Sequence, residues 1–179
     1  MTLKAFGSGS YVQCPTGTHH AVCVDVVDLG IEISDKYFNE KTGDPNKAHK
    51  VRFVWQINEP LMDDGRRFSI SRKFTLSLNE KSALRKFLES WRGQPFTAAD
   101  LSAGFDVEKL IGVNCVLQVL QSEDGKYHNV SAVMPLTKGV ASIEAVGYVR
   151  VKDRPAEEQV AGVVIGATAT VEDDDPLPF

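Results

Sequence analysis

The chain has 179 residues, of which 42% are hydrophobic and 25% charged, a composition that supports one folded domain plus a tail. No run approaches the roughly 20 apolar residues of a spanning helix, and MTLKAFGSGS has no apolar leader core, so neither a membrane segment nor a secretory signal is expected. The net charge of −4 is unevenly placed: Asp153 to Phe179 holds seven acids against one base, while Met1 to Lys152 holds 19 bases against 17 acids. A mildly basic body can approach a polyanion, and an acidic tail cannot. Three Cys are too few for a disulfide framework and point to a reducing, cytoplasmic setting.

Residues 1–16 are small and polar and read as an arm. The β-branched run His20 to Asp28 predicts a first strand. Residues 34–49, with Gly43, Pro45 and little apolar content, predict a long exposed loop. Lys50 to Ile57 alternates: Val51, Phe53, Trp55 and Ile57 share one face, and Lys50, Arg52, Val54 and Gln56 the other. Pro60 and Asp64-Gly65 mark a turn. Arg66 to Thr75 alternates again, with Phe68, Ile70 and Phe74 on a face shared with Arg66 and Arg72. The two runs predict an antiparallel hairpin with one apolar face and one basic, polar face.

Ser77 to Glu80 has the spacing of a capping box and predicts the start of a helix. Leu84, Phe87, Leu88 and Trp91 recur at helical spacing, and Gly93 and Pro95 end the element. Ile111 to Gln121 predicts a fourth strand with a kink at Gly112. Glu123 to Lys126 is a tight turn, and Tyr127 to Met134 pairs back as a fifth strand. The order of three strands, a helix and two strands predicts an all-β dominated, OB-fold-like five-stranded Greek-key barrel. Val140 to Lys152 predicts an additional C-terminal strand. The expected organisation is a nucleic-acid-binding domain over 1–152 and a flexible linker with an acidic partner-binding tail over 153–179. The apolar segment 160–171 reads either as a linker or as a strand that pairs in an assembly.

Binding a single strand without sequence choice needs a basic track for phosphates and flat side chains for bases. Lys50, Arg52, Arg67 and Lys73 supply the track. Tyr37 and Phe38 lie among Lys36, Lys41 and Lys47, Tyr127 follows Lys126, and Trp55 comes late in its strand; these are the candidate base platforms. Phe53, Phe68 and Phe74 read as core. Cys14, His19, His20 and Cys23 gather four metal-ligand types, but their spacing fits no zinc finger and no metal is expected. No phosphate-cradling Gly loop, nucleophile elbow or HExxH is present, so neither an enzyme nor a cofactor is expected.

The chain closes on Glu172-Asp-Asp-Asp-Pro-Leu-Pro-Phe179. Prolines keep such a peptide extended, the ring suits an apolar pocket and the acids suit a basic rim. This end resembles the C-terminal tip of bacterial single-stranded DNA-binding proteins, with Asp173, Asp174, Asp175, Leu177, Pro178 and Phe179 at the matching positions. Pro176 departs from that pattern by separating the acids from Leu177. The layout of the body with its tail is similar to bacteriophage-encoded members of that group. The resemblance implies a sequence-independent single-stranded DNA-binding protein in the cytoplasm of an infected bacterium, serving DNA replication, recombination and repair. Its partners would be single-stranded DNA and replication and recombination proteins docked on the tail, with a homo-oligomer compatible and no membrane. The rival readings are an adaptor that occupies host pockets for such tails without touching nucleic acid, and a structural β protein of a virus particle.

Overall fold

The computed structural model describes residues 12–155. Its regular elements are β1 (Gly17–Phe38), β2 (Pro45–Leu61), β3 (Arg67–Thr75), α1 (Ala83–Arg92), α2 (Ala98–Ala103), β4 (Asn114–Gln121) and β5 (His128–Pro135), with short 3-10 turns at Val107–Leu110 and Val151–Asp153. The strands form one open antiparallel sheet in the order β3-β2-β1-β4-β5. The protein is thus all-β dominated with few helices. The segment 140–150, expected as a further strand, has no strand structure.

The inner face follows the alternation. Val51, Phe53, Trp55 and Ile57 from β2 join Phe68, Ile70 and Phe74 from β3 in the core. Burying each such side chain contributes about 1.5–3 kcal/mol. On β1, Cys23 and Val26 both enter this core although they are three positions apart. A shift of pairing between Cys23 and Asp25 absorbs the odd residue, so Asp25 turns to the outer face. A second shift occurs between Asp28 and Gly30, and beyond it β1 continues to Phe38 paired with β2. The exposed loop expected over 34–49 is therefore mostly a two-stranded ribbon, with its turn at 39–44.

Helix α1 closes one end of the core. Leu84, Phe87, Leu88 and Trp91 are its buried residues, and Gly93 ends it in the left-handed region at φ 71°. Its cap is Ser82, whose hydroxyl accepts from the Arg85 amide at 3.1 Å, rather than Ser77. Residues 77–81 make local turns instead: Ser77 Oγ accepts from the Asn79 amide and Asn79 Oδ1 from the Lys81 amide. Phe53, Trp55, Phe74, Phe87 and Trp91 pack ring on ring at centroid separations of 4.8–6.5 Å.

The sheet edges β3 and β5 approach without a strand ladder. Arg72 spans the seam, donating from Nη1 to the Val130 carbonyl at 3.1 Å and to the Ser131 carbonyl at 3.4 Å. Its guanidinium also lies 4.8 Å from the Phe74 ring centre and 5.4 Å from that of Phe87. That contact explains how a charged residue shares the apolar face of β3. Ser90 of α1 donates to the Val133 carbonyl, so a third carbonyl of β5 is met by a side chain.

Candidate nucleic-acid interface

Outer-face rows follow from the pairing register. Val27, Arg52 and Lys73 lie side by side across β1, β2 and β3, followed by Asp25, Val54 and Ser71, then Val22, Gln56 and Ser69. Arg52, Val54, Gln56, Ser69 and Ser71 form the floor of a groove of about 830 Å³. One wall is the β2–β3 turn, with Met62, Asp64, Arg66 and Arg67. The other is a strap, residues 140–154, which contributes Val146, Gly147, Tyr148, Val151 and Arg154.

Side chains of the sheet hold the strap in place. Asn114 accepts the Ile143 amide at 2.8 Å and donates to the Ile143 carbonyl at 2.9 Å. Arg67 Nη1 donates to the Glu144 carbonyl at 2.6 Å. Gln56 donates to the Val146 carbonyl at 2.8 Å and accepts its amide at 2.9 Å. Asp25, only 1% exposed, accepts from the Tyr148 hydroxyl and Arg150 Nε at 3.1 Å and from the Val151 amide at 2.8 Å. Three donors and an ion pair offset the cost of burying this carboxylate. Arg150 also meets Glu108 at 2.8 Å.

Cations predominate along the groove. Arg52, Arg66, Arg67 and Arg154 line it against Glu59 and Asp64. Asp64 pairs with Arg66 at 2.7 Å, and the Arg66 amide and guanidinium hold its carboxyl below the usual range. Arg52 is half-buried, which lowers its affinity for the proton, and its Nε has no hydrogen-bond partner among the described residues. It also stands directly opposite Lys73, a like-charge cross-strand pair offset by the Glu32 carboxylate 3.2 Å from Lys73 Nζ. Burial, with Asp25 close by, raises the Tyr148 hydroxyl well above its ordinary value, so Tyr148 stays neutral at pH 7. Its ring carries Arg154 at 5.3 Å.

Of the predicted DNA contacts, Arg52 and Arg67 line the groove. Lys50 is engaged with the Thr75 hydroxyl at 2.9 Å, and Lys73 with Glu32 at 3.2 Å. Neither lines the groove. Trp55 is 0% exposed and its indole lies against Phe53, so it is a core residue and not a base platform. Tyr37 and Phe38 are 46% and 54% exposed, but on the β1–β2 ribbon rather than in a loop. Tyr127 is exposed in the β4–β5 turn, apart from the groove lining. Asp173, Asp174, Asp175, Leu177, Pro178 and Phe179 lie outside the described residues.

The Cys and His residues near the start of β1 point to separate partners. The His19 ring sits between the Pro15 and Glu59 carbonyls at 2.7 and 3.2 Å, and His20 bonds Asn114 at 2.7 Å. Burial pushes the Cys14 and Cys23 thiols up to about 12. Among the described residues no three His, Cys, Asp or Glu side chains converge as metal ligands.

Sequence reasoning missed Gln56, Tyr148, Arg154 and Asp25 as parts of the groove or its supports. For Asp25 a signal was present, a carboxylate inside the β-branched run His20 to Asp28. The near part of the strap carried no such signal, because Ile143, Glu144 and Val146 are held through main-chain groups that every residue has. Compared with protein-family models and with curated proteins, the chain matches none.

Proposed function

We propose that this chain binds single-stranded DNA without sequence choice, along the groove on the outer face of β2 and β3, and acts without catalysis. The observation that carries this reading is the half-buried, unpartnered Arg52 Nε on the floor of an arginine-lined groove. Phosphates running past Arg52, Arg66 and Arg67 would supply the missing acceptor. The exposed rings of Tyr37 and Phe38 on the β1–β2 ribbon would extend the track with stacking surfaces, worth about 1–3 kcal/mol per base. The strand order β3-β2-β1-β4-β5 supports reading the sheet as an OB-like barrel left open between β3 and β5, a layout that would suit ligands on its second and third strands. The segment Glu172 to Phe179 would recruit replication, recombination and repair proteins, as its resemblance implies.

The test is fluorescence anisotropy of end-labelled oligo-dT with the full chain across a salt series. Binding with a log–log salt slope of several units is expected, falling at least tenfold in affinity for Arg52→Met at unchanged thermal stability. An anisotropy that stays flat at low salt ends the DNA reading and leaves the adaptor role of the tail.

A further inference from the structure

Two polar side chains of the groove, Arg67 and Gln56, are already engaged, and their partner is main chain. Arg67 donates to the Glu144 carbonyl, a bare oxygen acceptor of the kind a phosphate also offers. The Gln56 carboxamide, 5% exposed, meets both the N–H and the C=O of Val146. A carboxamide facing an adjacent donor and acceptor is also how Gln and Asn meet the edge of a base. Every base carries an adjacent donor and acceptor on its pairing edge, so such a contact favours a base without choosing one.

We propose that residues 144–146 are a built-in stand-in for the ligand, which occupy Arg67 and Gln56 in the free protein and leave when a single strand enters. The inference rests on the DNA-binding reading of the groove, and it assigns Gln56 as a base-edge contact that is covered in the free protein. The fold supplies the means. The segment is irregular and lies between Gly139 and Gly147, both at positive φ (85° and 64°), where glycine turns freely. Side chains rather than a strand ladder hold it, at Asn114, Arg67 and Gln56. Val146 is 61% exposed, so lifting the segment exposes little new apolar surface at that point. Past Gly147, Tyr148, Arg150 and Val151 remain fastened to the buried Asp25, which keeps the far wall of the groove in place while the near part moves.

Asn114 lies outside the groove lining and tethers Ile143, just before the stand-in. Asn114→Ala in the full chain should therefore release the segment and leave the DNA contacts intact. The expected result is oligo-dT binding about threefold to tenfold tighter than wild type, because a larger fraction of molecules is competent. Hydrogen exchange over residues 141–147 of the wild type should also speed up when dT is added. Should Asn114→Ala fold poorly, Ile143→Pro weakens the same tether from the strap side by deleting the N–H, one of its two bonds. If the wild type binds dT while both variants bind it equally or more weakly, with exchange over 141–147 unchanged by dT, the strap is a fixed wall and the proposal fails. Binding by neither wild type nor variant ends the DNA reading itself. Release of the segment by an extended peptide and not by dT overturns the proposal in favour of a peptide ligand.

Discussion

On the inner face of β2, Val51, Phe53, Trp55 and Ile57 are covered by neighbours that the same alternation places in β3 and by the apolar stripe of α1. On its outer face, Gln56 is covered by the main chain of Val146, 90 residues later. The inner cover is made of many weak contacts, none individually decisive. The outer cover is made of a few directed hydrogen bonds, donated by Gln56, Arg67 and Asn114 and accepted by Asp25. The contrast separates two duties. The inner face sets whether the chain folds, and the outer face sets what can lie along the groove.

Trp55→Ala should sharpen this contrast most. It removes the largest side chain at the centre of the ring cluster, and a loss of about 3–5 kcal/mol in denaturant unfolding is expected. A loss under about 1 kcal/mol would break the assignment of stability to the inner face. Arg72→Met tests the seam, where one guanidinium serves both faces of the argument. It keeps an apolar stem over Phe74 but deletes the bonds to β5, so a loss of about 1–2 kcal/mol with faster amide exchange in β5 is expected.

Acid gives the smallest effect. The Phe96 amide and then Arg85 hold the Glu89 carboxyl below its ordinary value, and Arg150 and Lys152 do the same for Glu108. Their folded values lie below their unfolded ones. Their contribution is therefore complete above about pH 4.5 and is lost as the pH falls through the depressed values. A melting temperature that declines gently below pH 4.5, measured from pH 7 to 3, is the expected outcome. A flat profile would remove these carboxylates from the account.

How much of this was legible in the sequence follows the same division. The alternation of Val51 to Ile57 and the stripe Leu84, Phe87, Leu88, Trp91 could be read because burial repeats at the period of the element. The helix start was misplaced because Ser77 to Glu80 carries the right residue types. The first turn to face the core, however, begins only at Ala83. Tyr37 and Phe38 were assigned to a loop because the polar content of 34–49 hides a ribbon whose strands pair with each other through backbone groups. Arg52 and Arg67 could be found from charge on the polar face, whereas Gln56 and Asp25 owe their roles to a distant segment. Trp55 reads as a base platform from its late place in the strand, but strand position alone does not say whether an indole is covered, and here it is buried.

The burial of both tryptophans, Trp55 in β2 and Trp91 in α1, has an optical consequence. Each indole is enclosed by Phe87 and by the other tryptophan, with centroids 6.0 Å apart. Their emission should be blue-shifted in the native state and red-shifted on denaturation. Intrinsic fluorescence of this protein is thus a gauge of the integrity of its interior, and a ligand on the opposite side of the sheet would leave it dark to that signal.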